Sequence, residues 1–144
     1  MVDSLTPAER SERMSRIRGK DTRPEIALRR VLHGLGLRYR LHGGGLPGKP
    51  DLVLSRFKAV VFVHGCFWHR HQGCSIATTP KSNTAFWVDK FEKNVARDER
   101  TLLALESLGW KAFVVWECEV ATTAKAEATG RSLAQSLRER LASR

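Results

Sequence analysis

Four residues with metal-ligand chemistry draw attention first. Cys66, His71 and Cys74 fall within nine residues of one another, and Cys118 stands apart. Two thiolates and an imidazole on one loop, closed by a distant thiolate, make a Cys3His set of the kind that holds structural zinc. All four positions would then be protein ligands, with none left for water. The alternative is three buried thiols beside an unrelated histidine, since cysteine often behaves as a small hydrophobe. An odd number of cysteines cannot pair completely within one chain. The segment from Gly65 to Ser82 has little apolar content, so a metal would explain how it stays folded.

A second chemical element is Pro50-Asp51. A carboxylate opening a strand after a glycine-rich loop can hold Mg2+ against a scissile phosphate. Aspartate after proline is also common in turns. A PD-(D/E)XK nuclease carries an acid-x-Lys on the following strand. Here that strand reads Lys58-Ala59-Val60-Val61-Phe62-Val63-His64, without a carboxylate. His64 and His69 form a third group. Glu25 and Asp98 are candidates to fix their tautomers, and imidazole suits both proton abstraction from water and donation to a leaving oxygen. The plainer readings are a turn histidine for His64 and a spare zinc ligand for His69. The fourth group is aromatic. Phe67-Trp68 lies inside the polar loop and Phe86-Trp87 follows it, and exposed rings beside positive charge can stack on bases. Packing against the sheet is expected of Phe86, with Trp110 and Trp116 as further packing candidates. Gly43-Gly44-Gly45 is no phosphate-binding loop, because no Gly-Lys-Ser/Thr opens a helix after it.

These groups need a scaffold, and the chain supplies its grammar. Thr6-Pro7-Ala8-Glu9 and Thr22-Arg23-Pro24-Glu25 both read as helix starts, with a hydroxyl cap, an early proline and a glutamate that can reach back. The first helix is expected to end near Ile17, before Gly19. The second carries Leu28, Val31, Leu32 and Leu35 at helical spacing, with Gly34 and Gly36 at its end. Arg38 to His42 alternates as a strand, residues 43–50 form a turn-rich loop, and strands follow at Asp51–Leu54 and Lys58–Val63. Residues 64–82 read as irregular. A long helix is expected from a cap at Asn83 to Leu108, then a buried strand over Lys111–Trp116. A surface helix is expected over Thr123–Ala142. The order predicts a mixed four-stranded sheet flanked by helices in one domain over residues 1–144.

Length and charge bound the function. At 144 residues, two independent cores would be small. Lys and Arg outnumber Asp and Glu by 25 to 15, a formal charge of +10. Residues 1–49 hold eleven basic against five acidic side chains, a net of +6, which suits a polyanion-binding face. No apolar run approaches the ~20 residues of a membrane span, and no secretory leader is visible. A cytoplasmic protein is expected.

The block Val63-His64-Gly65-Cys66-Phe67-Trp68-His69-Arg70-His71 brings these strands together. With Leu46 through Asp51, Asp21 through Glu25, Asn94 through Asp98 and Gly109 through Cys118, it resembles the Vsr endonucleases of very short patch repair, over residues 8–120. The resemblance implies a variant PD-(D/E)XK fold with structural Zn2+. It implies Mg2+-dependent nicking of double-stranded DNA on the 5′ side of the thymine in a T:G mismatch left by deaminated 5-methylcytosine. By the same likeness Asp51 and the Val63 carbonyl would hold Mg2+. His69 paired with Glu25 would handle the attacking water, and His64 paired with Asp98 would assist departure of the 3′-oxygen. Cys66, His71, Cys74 and Cys118 would hold zinc, although one residue more than the pattern separates His71 from Cys74. Phe67, Trp68 and Trp87 would wedge beside the mismatch, with Met14 inserted from the minor-groove side. Arg16, Arg18 and Lys20 are candidate phosphate contacts. The resemblance also implies contact with MutL and MutS, action at the nucleoid, and a monomer.

Overall fold

The computed structural model describes residues 21–143. The expected helix from Thr6 to Ile17 and the candidates Met14, Arg16, Arg18 and Lys20 lie outside the described residues.

Helix α1 spans Arg23–Gly34. Leu28 and Leu32 are fully buried, and Val31 and Leu35 pack beside them, as the apolar stripe requires. Its start differs from the expected capping box. The Thr22 side chain makes no cap bond. Glu25 reaches one residue further back, accepting the Asp21 N–H at 2.9 Å, and takes Arg29 Nη2 at 3.1 Å. Asp21 has φ +62, which carries its N–H to the carboxylate.

The sheet order is β1-β2-β3-β4. Strand β1 covers only Arg40–Leu41, shorter than its alternating stretch suggests, because Gly43 already turns the chain back onto Pro50. Strand β2 spans Leu52–Leu54 and pairs antiparallel with β3, Ala59–His64, through a 3-10 turn and left-handed Lys58. Helix α2, Thr84–Ser107, crosses over to β4, Lys111–Trp116, which runs parallel to β3. A parallel pair needs such a crossover. Gly109, at φ +85, ends the helix and starts the strand.

Strand β3 is apolar on both faces because both faces are covered. Ala59 and Val61 join the larger core with α1, while Val60 and Phe62 pack with Val53 and Leu105 on the α2 side. This alternation also assigns the chemical residues. His64 continues the series 60, 62, 64, and Asp51 the series 53, 51, so both belong to the α2 side.

Helix α3 spans Thr123–Ala142, the expected bounds, but it is no surface helix. Ala126, Gly130, Leu133, Ala134 and Leu137 are buried against α1. The stripe begins with small residues, so its hydropathy is weak, yet small residues are what close packing needs. A Cβ on Gly130 would lie 2.3 Å from Val31 Cγ1. Arg138 donates to the Leu35 carbonyl at 3.0 Å. Arg140 donates to the carbonyls of Phe57 at 2.9 Å, Lys58 at 3.2 Å and Gly109 at 3.4 Å.

Candidate active site and metal centre

An open groove of about 1350 Å3 runs along the α2 side, across the ends of β2 and β3. Glu25, Asp51, Val63, His64, Phe67, Trp68, His69, Asp98 and Glu117 all line it.

Asp51 occupies the corner where β3 outruns its shorter partner. The ladder ends at Leu52 opposite Val61, so the Val63 N–H has no strand to bond. Asp51 Oδ2 accepts it at 2.6 Å. In an extended strand a residue's N–H and C=O leave on the same side, so the Val63 carbonyl faces the same corner. Burial pushes the Asp51 carboxyl up to about 6; the Val63 N–H opposes this, and the Glu25 carboxylate adds to it by charge and hydrogen bonding. Glu25 is itself buried. Two acids drawn together in a partly dehydrated corner invite a cation. Oxygen donors of this kind suit a hard divalent ion such as Mg2+.

The histidine pair lies beside that corner. His64 and His69 stack face to face, ring centroids 3.8 Å apart and planes 8° apart. His69 Nδ1 lies 2.6 Å from Asp98 Oδ2. The partners therefore differ from those expected. Asp98 binds His69, where Glu25 was expected, and His64 meets Asp98 only through charge. Glu25 stands on α1, at the Asp51 corner, whereas His69 is carried by the turn after β3 over α2, where Asp98 is the carboxylate in reach. In the tautomer that donates Nδ1–H to Asp98, His69 Nε2 keeps its lone pair for accepting a proton. Burial pushes His64 down to about 4, helped by the neighbouring His69 charge and opposed by Asp98. His64 is thus a neutral imidazole at pH 7.

The thiol cluster is adjacent and built differently. Cys66, His71, Cys74 and Cys118 bring one ligand atom each to within 4.8 Å of the others. His71 Nδ1 lies 3.6 Å from Cys66 Sγ and 3.4 Å from Cys118 Sγ. A tetrahedral zinc, at ~2.3 Å from sulfur and ~2.05 Å from nitrogen, separates such donors by about 3.6 Å. The four residues fit that ion. The residue added between His71 and Cys74 is absorbed in a turn where Gly73 adopts φ +73 and the Cys74 N–H returns to the His71 carbonyl at 3.4 Å. Without an ion, burial pushes the Cys66 thiol up to about 12, while backbone N–H groups led by Ile76 hold Cys74 below its usual value. Such N–H groups around sulfur suit thiolates bound to a cation.

The loop over residues 65–82 has a second fastener that sequence inspection missed. Arg70 donates to the carbonyls of Phe67, Ala77 and Thr78 at 3.1, 2.9 and 3.0 Å, and its guanidinium lies 3.9 Å from the Phe91 ring centre. It replaces the regular ladder the loop lacks. Its place within the quoted block was visible; its span to residue 78 was not. Asn94 donates to the Trp68 carbonyl at 3.1 Å, and Glu117 Oε1 accepts the Cys66 N–H at 2.9 Å.

Phe67, Trp68 and Trp87 form one interlocked cluster with Phe91. Trp68 and Trp87 centroids lie 5.9 Å apart, and Phe67 meets Trp68 edge to face at 5.0 Å. Phe91, 5% exposed, is the anchor. Phe86 does not pack the loop against the sheet as expected; it is 60% exposed and meets only the edge of the aromatic cluster, at Trp87. Trp110 does pack, against the α2-side core, and Trp116 is half-buried.

Comparison with known proteins points to one family. The family described as DNA mismatch endonuclease Vsr matches residues 2–75. The chain is 47% identical over 133 residues to the type II nicking enzyme V.XorIIP of Xanthomonas oryzae, covering 92% of this chain and 97% of that one. It is 48% identical over 120 residues to the type II nicking enzyme V.NmeAIP of Neisseria meningitidis, covering 83% and 85% of the two chains. To the DNA mismatch endonuclease Vsr of Escherichia coli it is 40% identical over 139 residues, covering 96% and 87%.

Proposed function

Since this chain belongs to the Vsr family of DNA mismatch endonucleases, we propose that its groove nicks one DNA strand on the 5′ side of the thymine in a T:G mismatch. DNA-cleaving hydrolysis follows from the family; the mismatched pair, the side of the cut, the metals and the roles of the residues are the proposal. The observation that carries it is the meeting, in one groove, of the Asp51–Val63 corner, the His64–His69–Asp98 set and a half-buried aromatic cluster.

Asp51 and the Val63 carbonyl would hold Mg2+, with Glu25 completing the anionic corner. A bound ion would supply charge neutralisation at the phosphate. His69, steadied by Asp98, accepts a proton from water as its oxygen attacks phosphorus. The bond from phosphorus to the 3′-oxygen breaks, leaving a 5′-phosphate on the thymine and a 3′-hydroxyl. His64, neutral before reaction, would donate an N–H hydrogen bond to the departing 3′-oxygen, which takes its proton from solvent as the hydroxyl forms. Phe67, Trp68 and Trp87 would wedge beside the mismatch. A wobble pair is cheaper to unstack than a matched one, so insertion recovers more of its cost there. The Cys66, His71, Cys74 and Cys118 set would hold zinc as a fastener. We read the chain as one variant PD-(D/E)XK domain that acts as a monomer, with Met14, Arg16, Arg18 and Lys20 of the N-terminal segment also on the DNA and with MutL and MutS as functional partners.

The test is incubation with T:G and matched duplexes in several flanking contexts with Mg2+. A single nick 5′ to the mismatched thymine is expected. Cleavage of both strands of matched DNA would instead favour a restriction-type endonuclease, and mismatch binding without a nick would leave a DNA-binding module.

A further inference from the structure

Three ring contacts join the thiol cluster to the histidine pair. The His71 ring lies flat on the Trp116 indole, with centroids 4.3 Å and planes 8° apart. Trp116 meets His64 edge to face at 5.3 Å and 75°. His64 in turn lies flat on His69, which Asp98 holds. None of the chemical steps above uses Trp116, and packing was all that its sequence context suggested.

The surroundings of His64 give that contact its weight. A buried imidazole is ordinarily fixed by a hydrogen bond to its second nitrogen. Among the described residues no hydrogen bond holds the His64 ring; its neighbours are the rings of Phe62, His69 and Trp116. Its plane is therefore set by packing. Trp116 is well placed to set it. It ends β4 directly opposite His64 in the parallel register, so both side chains leave the sheet on the same face. Its backbone is fixed by Glu119, whose Oε1 accepts the Trp116 N–H at 2.8 Å. The next residue, Glu117, grips the Cys66 N–H, and the one after, Cys118, enters the thiol cluster.

We propose that Trp116 is a positioning residue: the indole takes its plane from His71 and passes it to His64, so that the closed Cys/His cluster orients the imidazole facing the leaving oxygen. This rests on the reading of His64 and His69 as the acid–base pair. The cluster then does more than hold a loop shut. It is the fixed end of a stack of rings whose free end lies in the groove.

The test uses the full chain and three variants, Trp116→Leu, Trp116→Phe and His71→Cys. The last keeps four zinc ligands while deleting the ring under Trp116. Zinc per chain, Tm, Kd for a T:G duplex in Ca2+, single-turnover nicking in Mg2+ and the imidazole NMR spectrum are measured for each. With zinc and Kd retained, Trp116→Leu should slow nicking roughly 10- to 100-fold, the usual range for a residue that orients a ligand or catalytic group. Trp116→Phe should recover most of the rate. His71→Cys should slow nicking by about tenfold by the same route. His64 ring resonances should move in all three. Wild-type nicking by Trp116→Leu or His71→Cys would overturn the proposal, as would rate losses that follow zinc content and Tm. His69→Ala separates the premises. If it nicks normally, the acid–base reading fails and this inference with it; if it is inactive while Trp116→Leu is normal, the inference alone fails.

Discussion

Two groups of side chains that could hold a cation are built on opposite plans. The Cys66–His71–Cys74–Cys118 group is closed and soft. Every donor comes from the protein, two are sulfurs within 3.6 Å of one imidazole nitrogen, and the backbone N–H groups of Ile76 and Ala77 face the Cys74 sulfur. The Asp51–Val63–Glu25 corner is open and hard. It offers oxygen donors on one side and leaves the other to the groove. A closed set keeps its ion and shapes the chain; an open one leaves room for water and phosphate. The difference teaches where to look for chemistry in a chain with several ligand-type residues: in the unfinished coordination shell.

That contrast can be broken most sharply at Asp51. Asp51→Ala should lower single-turnover nicking by about a thousandfold or more, given the several kcal/mol that a metal contributes to such reactions, while binding to a T:G duplex persists. Normal nicking by this variant would end the metal assignment. His69→Ala comes next, at about 10²–10⁴-fold in rate with little change in duplex Kd. Asp98→Asn should reproduce part of that loss, and Glu25→Gln should act on the Mg2+ requirement instead, a distinction that checks the revised pairing directly.

The closed group predicts a different failure. Cys118→Ser should lower zinc content and stability together, by roughly 10 °C in Tm for loss of a few kcal/mol in a domain of this size. Nicking below the lowered Tm should fall less than in Asp51→Ala. Unchanged Tm in chelator, with no zinc found in the purified protein, would remove the metal from this cluster.

The smallest effect is the pH dependence of the corner. Burial raises Asp51 from 3.8 to about 6, so the metal-free carboxyl is protonated below that value. Mg2+ must displace the proton, and its apparent affinity should fall about tenfold per pH unit below 6 and level off above 7. The sign for folding runs the other way. The raised pKa adds stability to the metal-free protein below pH ~4, and that increment is lost as pH rises through 6. Mg2+ titrations at several pH values, followed by nicking rate and Tm, read both. A flat affinity between pH 5 and 7 would place the proton elsewhere.

Local pattern carried much of the fold. The stripe of Leu28, Val31, Leu32 and Leu35, the β-branched run before His64 and the stop at Gly109 led to an element order that matches the observed one over the described residues, although the Asn83 side chain makes no cap bond. The Thr123–Ala142 helix was legible in extent but not in burial, because Ala126, Gly130 and Ala134 become a core only when Val31 lies against them. At the site, residue types and spacing singled out residues that the fold brings together in the groove and in the thiol cluster. Their partners were not legible. Whether Asp98 or Glu25 meets His69 depends on where a crossover helix sets its fourth turn against a loop, and no local rule contains that. Arg70 was hidden for the same reason: its acceptors lie up to nine residues away in an irregular segment.

The clasp made by α3 has a kinetic consequence. Arg138 and Arg140 close loops of 103, 83 and 82 residues on the carbonyls of Leu35, Phe57 and Lys58. Loop-closure entropy grows only as about (3/2)RT ln n, so such distant contacts are thermodynamically tolerable. They are slow to form, because non-local pairing must precede its reward. The groove residues, from Glu25 to Glu117, precede α3 in the chain, whereas the larger core behind the sheet waits for it. A polypeptide emerging in sequence order thus has its chemical groups in hand before the scaffold that must hold them, and the docking of one late helix decides when they begin to act together.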